Sequence, residues 1–211
     1  MRTQQQAAAG EFAFDFVGGA LCLDFANTVS WHLGPEPYEH LRTYGDLVAW
    51  ARQAGVATAD EAATLLARAS GRPAEAEAAR LRAIELREAL FGVCLAALAG
   101  TAADSADLLT LNRMLRAAMT EAALVPAPPG LAWAWPGGDA RPLEWPLWPV
   151  VRDAADLLSS PGASRLAVCA NERCGWLFLD RTHRRRWCSM SSCGNRVKAA
   201  RYYRRVRSAN G

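Results

Sequence analysis

Hydrophobic residues along most of the chain recur every three or four positions, the period of helices with one buried face. The longest stripe of this kind lies in a predicted helix over residues 74–99. Its apolar members are Leu81, Ile84, Phe91, Leu95 and Leu98. The same period and capping residues predict four more helices. They begin after Thr43, after Thr58 and at Asp104 or Ser105, and the last covers about 147–159.

Shorter stretches instead alternate between apolar and polar positions, which is typical of strands. Residues 12–16 and 21–25 flank two glycines and predict a hairpin near the start of the chain. Residues 131–135 and 143–145 predict a second hairpin. The pattern therefore predicts an α+β fold, with a mostly helical N-terminal domain that contains short antiparallel strands and a small C-terminal module.

Charge divides the chain into two unequal parts. Residues 1–164 carry 12 arginines against 19 acidic residues, a net charge of −7. Residues 165–211 carry 12 basic residues against two acidic ones, a net charge of +10. Such a basic tail predicts an anionic partner, the alternative being a solvated helix without one. With Ser160-Pro161-Gly162 as the linker, we predict domains over 11–160 and 165–208.

Composition excludes several classes of protein. Hydrophobic residues make up 51% of the chain, which is enough for a core without disulfides. No run of about 18 apolar residues predicts a membrane span, and the first residues lack the apolar stretch of a signal peptide. We therefore expect a soluble cytoplasmic protein that does not contact a membrane.

Four of the six cysteines form two pairs near the C-terminus, Cys169-x4-Cys174 and Cys188-x4-Cys193. Zinc prefers four soft ligands at tetrahedral corners, and two close pairs supply them with little cost in chain entropy. The few aromatic residues between the pairs cannot form a core, so a metal must contribute folding free energy. We predict one structural zinc ion here. Cys22 and Cys94 lie in apolar runs and are predicted to be core residues.

Other arrangements of the same residues remain open. The thiols would also suit two disulfides or a redox switch, and His183 would allow a Cys3His site. The absence of a secretion signal argues against disulfides. Four thiolates leave no open coordination position, so the site does not predict a catalytic metal or an enzyme.

Basic residues surround the second cysteine pair. Guanidinium groups match phosphate oxygens with forked donors, so the segment predicts a nucleic-acid contact. After Gly194-Asn195, residues 196–204 contain no helix breaker and are good helix formers, which predicts a basic helix. The candidate contacts are Arg184, Arg185, Arg186, Arg196, Lys198, Arg201, Arg204 and Arg205.

These residues resemble a known family. The run Cys188-Ser-Met-Ser-Ser-Cys193-Gly194-Asn195-Arg196 resembles the signature of the CGNR zinc finger, and residues 169–180 are similar to its first half. Upstream, residues 23–28, Leu-Asp-Phe-Ala-Asn-Thr, resemble the opening motif of the ABATE domain, which usually precedes this finger. The two resemblances together cover nearly the whole chain.

The resemblance implies a stress-induced transcription regulator of bacteria, in which the four paired cysteines are the zinc ligands. DNA is then the expected partner, with RNA as an alternative, and the N-terminal domain would form a homodimer or sense a small-molecule effector. Two other functions stay open. One is a zinc-dependent module that binds RNA or protein, and the other is a small-molecule-binding or enzymatic N-terminal domain with a basic regulatory tail.

One polar cluster stands out in the N-terminal domain. Asp24, Asn27 and Thr28 follow a predicted strand, where a ligand pocket can form. The alternative, which we favour, is a network that braces the end of the strand. His32 and His40 have no nucleophile or metal motif beside them and are predicted to be surface or loop residues. The tryptophans, including Trp133, Trp135, Trp145 and Trp148, are predicted to be core rather than a ligand site.

Overall fold

The computed structural model describes residues 12–199, and the fold within this range is α+β. The helices are α1 (Leu21–Ala26), α2 (Tyr44–Gln53), α3 (Ala59–Ser70), α4 (Pro73–Ala99), α5 (Ser105–Thr120) and α6 (Leu147–Leu158). The strands are β1 (Val29–Ser30), β2 (Tyr38–Glu39), β3 (Ala123–Ala127), β4 (Gly130–Ala134), β5 (Leu166–Val168) and β6 (Leu177–Leu179). They pair as antiparallel hairpins, β1 with β2, β3 with β4 and β5 with β6.

The helix starts predicted from capping residues are confirmed. At α2, Thr43 accepts from the N–H of Asp46 while the Asp46 carboxylate accepts from the N–H of Thr43. Thr58 and Glu61 form the same reciprocal box at α3. Asp104 caps α5 through the N–H of Ala106. These side chains satisfy N–H groups that the first turn of a helix leaves without main-chain partners.

The predicted hairpin over residues 12–25 is wrong, because its second half is helix α1. The buried residues of α1 are Cys22, Leu23, Phe25 and Ala26, a spacing that fits a short helix packed on one side. Its N-terminus is held by the carboxylate of Asp153, which accepts from the N–H of Cys22 at 2.8 Å. The tertiary contact decides between helix and strand in a segment too short for its pattern to do so.

The second predicted hairpin has a different partner strand from the expected one. β4 pairs with β3, so that Leu124 lies opposite Trp133 and Ala127 opposite Gly130. Residues 143–145 form turns before α6 instead of a return strand. Pro126 within β3 is compatible with pairing because this ribbon has only two strands, and proline is tolerated on an edge.

A large core joins all the helices of the N-terminal part. Trp50, Phe25 and Leu90 are among its fully buried side chains. Leu81 and Leu98, predicted on the buried stripe of α4, are instead 52% and 38% exposed. Leu166 of β5 and Leu177 of β6 belong to this same core. The two predicted domains, over 11–160 and 165–208, therefore pack against each other through this core. That each of them folds as a separate unit stays a prediction.

Among residues 12–199, no helix is both long enough and apolar enough to cross a membrane.

Candidate metal centre and basic surface

The hairpin β5–β6 places the first cysteine pair. Cys169 directly follows β5, and its N–H donates to the carbonyl of Trp176 at 2.9 Å, which extends the ladder beyond the strands. Cys174 closes a turn through a hydrogen bond from its N–H to the carbonyl of Asn171 at 2.8 Å. The four-residue loop between the two cysteines thus bends back on itself and points both sulfurs to one side.

The second pair is brought onto the first by main-chain contacts. The N–H of Ala170 donates to the carbonyl of Arg186 at 2.9 Å, beside Cys188. Cys193 lies in the π-helical turn Met190–Gly194, which begins with Ser189 as its N-cap. Residues 195–199 continue as helix, which confirms the start of the predicted basic helix.

The four sulfurs converge. Ligand atoms of Cys169, Cys174, Cys188 and Cys193 all lie within 4.8 Å of one another, and each residue is only 2–4% exposed. The sulfurs of Cys174 and Cys188 are 3.8 Å apart. Tetrahedral zinc with bonds of about 2.3 Å would separate its sulfurs by about 3.8 Å. The donor set and its spacing therefore fit one structural zinc ion.

Hydrogen bonds to sulfur prepare the site for a metal. The N–H of Cys188 donates to the sulfur of Cys169 at 3.4 Å, and the amide of Asn171 donates to the sulfur of Cys193 at 3.8 Å. Hydrogen bonds from the thiols of Cys174 and Cys188 hold the pKa of Cys169 well below its ordinary value. Zinc binds thiolates, so its binding would displace the thiol protons of Cys174 and Cys188, whereas the N–H donors of Cys188 and Asn171 can stay bonded to sulfur.

The two-disulfide and Cys3His alternatives do not match this geometry. The six cysteines of the chain are free, and a separation of 3.8 Å is far from the length of about 2.05 Å for a disulfide. His183 is exposed and is absent from the cluster. A small second core of Phe178, Trp176 and Trp187 surrounds the thiols.

Two glycines are required by close approach around the metal site. Gly175 has a φ of +74°, and a Cβ there would lie 3.0 Å from Cβ of His32. A Cβ on Gly194 would lie 2.6 Å from the sulfur of Met190 and 3.3 Å from the ring of Trp187. A side chain at position 194 would therefore have to move the end of Met190 and press on Trp187, which packs against the thiols.

Asn27 of the predicted polar cluster joins the N-terminal part to the metal segment. The Asn27 amide donates to the carbonyl of Leu177 at 2.9 Å and its oxygen accepts from the N–H of Leu177 at 2.8 Å. Thr28 donates to the carbonyl of Phe25 at 2.8 Å, and Asp24 accepts from the N–H of Gly18 at 2.7 Å. All of these hydrogen bonds go to main-chain groups of the protein, as expected for residues that brace the fold.

The loop after β1 provides further contacts with the metal segment. The N–H of His32 donates to the carbonyl of Cys174 at 3.0 Å, and the indole of Trp176 donates to the carbonyl of Val29 at 2.7 Å. The His32 ring stacks near Phe91 and pairs with Glu88 at 2.7 Å. His40 meets the hydroxyl of Ser30 at 2.8 Å. Both histidines lie in loops, as predicted.

The candidate cations fall into three groups. Arg185 is half-buried, with its guanidinium over Phe178 and donating to carbonyls of Val17, Trp187 and Cys188, so it supports the fold of the metal segment. The four exposed side chains, which we call the finger cations, are Arg184, Arg186, Arg196 and Lys198. Arg201, Arg204 and Arg205 lie outside the described residues.

Sequence reasoning missed how Arg196 is supported. Its guanidinium carbon lies 4.7 Å from the ring centroid of Trp31, a residue of the N-terminal part with a φ of +58°. It does not brace Asp180, whose carboxylate instead accepts from the N–H groups of Thr182 and Arg185. A pairing between residues 165 positions apart leaves no periodic signal in the sequence.

Comparison with known families matches both parts of the chain. Residues 19–161 match the ABATE family, described as "Putative stress-induced transcription regulator", and residues 165–206 match the CGNR zinc finger. These descriptions are those of a regulator and a zinc finger, not of an enzyme. No curated protein matches the chain. The zinc-finger match and the converging thiols together support one structural zinc ion.

Proposed function

Because the chain belongs to the ABATE family and ends in a CGNR zinc finger, we propose that it is a transcription regulator whose finger binds duplex DNA. The observation that carries the proposal is the exposure of the four finger cations beside the buried thiol cluster. Zinc, when bound, holds together the segment that displays them.

The charge of these side chains is available for an anionic partner. Among residues 12–199, no acidic side chain forms an ion pair with Arg184, Arg186, Arg196 or Lys198. The segment from 165 onward has a net charge of +10. Phosphate neutralises such groups with release of counterions, which makes the affinity depend steeply on salt.

The support of Arg196 by Trp31 favours a defined orientation over a loose tail. An arginine that stacks on an indole keeps its donors in one plane, and bidentate contact with guanine or phosphate needs such a plane. Arg184 is anchored differently, through its N–H to the carboxylate of Asp180 at 3.3 Å. Arg196 is thus held through its side chain and Arg184 through its main chain.

The N-terminal domain would sense an effector or form a homodimer in this proposal. Such a regulator acts in the bacterial cytoplasm, where reducing conditions keep thiols available for metal. The packed boundary between the domains, through Asn27 and Leu177, gives a direct physical connection between them.

The test is binding of a short labelled DNA duplex, followed by fluorescence anisotropy across about 50 to 200 mM salt. We expect the triple variant Arg184→Ala, Arg186→Ala, Lys198→Ala to lower the salt slope by about 3 and to weaken binding at least about tenfold at low salt. The matched control removes three exposed arginines of the N-terminal domain, Arg42, Arg72 and Arg116. It carries the same change in net charge and should retain its affinity.

Equal loss in both triple variants would mean that only net charge matters and would contradict a finger-centred site. Competition with structured RNA and with single strands separates DNA from the other partners. If RNA displaces the duplex at much lower concentration, the finger is an RNA-binding module instead.

A further inference from the structure

A half-open cavity of about 800 Å³ lies on the N-terminal domain, away from the zinc finger. Its walls are the start of α1, the loop after α2, strand β4 and helix α6. The volume is in the range of sites that enclose small organic molecules. The tryptophans predicted to be simple core residues contribute most of its aromatic surface.

The indoles of Trp133, Trp135 and Trp145 line this cavity. Trp135 is held by a hydrogen bond from its indole N–H to the carbonyl of Ala118 at 2.8 Å. Trp145 is 4% exposed and Trp133, at 38%, is much more open to solvent. Walls of this kind offer π faces at fixed positions, which favours flat ligands and cations.

Two of these indoles already lie against positive charge. The guanidinium carbon of Arg141 is 3.8 Å from the ring centroid of Trp145, and that of Arg152 is 5.0 Å from the centroid of Trp133. These guanidinium groups already cover a face of Trp145 and of Trp133, so a ligand has the indole of Trp135 and the exposed part of Trp133 to contact.

The charged groups of the wall leave one carboxylate in excess. Arg141 pairs with Glu61 at 2.7 Å and donates to the carbonyls of Trp135 and Gly138, so each of its three nitrogens makes a hydrogen bond and its charge is balanced by Glu61. Asp153 accepts from the N–H of Cys22 through one oxygen. Within residues 12–199, no basic side chain pairs with Asp153.

We propose that this cavity binds a flat aromatic cation, with indoles against its rings and Asp153 near its positive charge. The net charge of −7 on residues 1–164 favours the approach of such a molecule. The proposal deepens the sensory role above and rests on the proposed function for its regulatory meaning. The binding itself is independent of DNA.

The test uses DNA-free protein and follows quenching of tryptophan fluorescence. The probes are three molecules of similar shape and different charge, 1-methylquinolinium, 1-methylnaphthalene and 1-naphthoate. We expect the cation to bind at least about tenfold more tightly than the neutral molecule, and the anion to bind most weakly. Equal affinity for all three, or no saturable quenching by the cation, would overturn the proposal.

The variant Asp153→Asn tests whether the carboxylate of Asp153 attracts the cation. The asparagine oxygen can still accept from the N–H of Cys22, so α1 keeps its cap while the charge is removed. We expect about a five- to tenfold loss of affinity for 1-methylquinolinium and no change for 1-methylnaphthalene. The control Glu75→Gln removes an exposed charge outside the cavity and should change neither affinity. An equal effect of both variants would show that only overall charge attracts the probe.

The two proposals can fail separately. Loss of DNA binding in the triple variant leaves the probe titration interpretable, since no DNA is present. Conversely, the protein could bind duplex DNA while all three probes quench its tryptophan fluorescence with equal affinity. That result would support the proposed function and contradict a site for aromatic cations.

Discussion

At the scale of single residues, a few buried polar side chains hold distant parts of the chain together. Asn27 is 5% exposed and makes two hydrogen bonds with the main chain of Leu177, 150 positions away. Its amide acts as a substitute for a neighbouring strand at the edge of β6. A buried amide of this kind stabilises the fold only while both of its bonds are made.

Replacing Asn27 with alanine should therefore destabilise the protein. We expect the free energy of unfolding to fall by about 2–3 kcal/mol, because the N–H and carbonyl of Leu177 lose their partner inside the fold. Denaturant unfolding with zinc present measures this. The control Asn112→Ala, at an exposed position of α5, should cost much less, and equal losses would contradict the bracing role.

At the scale of elements, some helices begin at a local capping motif and others depend on a tertiary contact. α2 and α3 each have a complete capping box, so their starts are encoded within four residues. α1 has no side-chain cap of its own and relies on Asp153 of α6. A short helix of this kind depends on packing for its existence.

The substitution Thr43→Ala tests the local contribution. It removes the acceptor for the N–H of Asp46 at the start of α2, so we expect a loss of about 1 kcal/mol in the free energy of unfolding. Thermal or denaturant unfolding gives the value. Thr120→Ala, at the end of α5, removes a threonine that caps no N–H group, and its smaller effect is the comparison. A cost for Thr43→Ala below that of Thr120→Ala would refute the capping account.

At the scale of the whole molecule, an ion-pair network and a shared core connect the finger to the helices. Arg87 is 3% exposed and pairs with both oxygens of Glu39 at 2.7 Å, and with Glu88 at 2.9 Å. Glu88 also contacts His32, which donates its N–H to the carbonyl of Cys174. The network thus extends from β2 through α4 to the zinc site.

This network predicts how stability depends on pH. Burial raises the pKa of Glu39, but the hydrogen bonds and charge of Arg87 outweigh it, so the pKa lies below its ordinary value. The folded state therefore favours the carboxylate, and this stability is present above the unfolded pKa and lost as pH falls through the folded one. We expect Glu39→Gln to flatten the acid limb of a plot of unfolding free energy against pH. Glu75→Gln should leave that limb unchanged, and a similar flattening in both would contradict the assignment.

The substitution Cys174→Ser tests the shared boundary. We expect it to abolish stoichiometric zinc, measured by metal analysis of reduced protein, because three thiolates remain. Two independent folding units would leave the N-terminal domain unaffected. Since Leu166 and Leu177 lie in the main core, we expect the melting temperature of that core to fall as well.

Cys94→Ala is the control for Cys174→Ser, since Cys94 is buried outside the thiol cluster. It should keep its zinc. Full zinc content in Cys174→Ser would contradict the metal site, and an unchanged melting temperature of the helical core would favour independent modules.

The sequence by itself determined the features that rest on local chemistry. The cysteine pairs predict a zinc site, because ligand type and spacing are properties of a short segment, and the thiols do converge. The capping boxes and the longer helices are local in the same sense. The charge of the tail is also a property of composition, and it motivates the DNA contact that stays a prediction.

Only the tertiary structure decided the features that need distant residues to meet. It made residues 21–26 a helix, since Asp153 caps its start and the main core covers its apolar side. It half-buried Arg185 against Val17 and brought three tryptophans and Asp153 around one cavity. The free energy of these arrangements comes from contacts across more than a hundred positions in some cases, and no period or motif in the sequence records them.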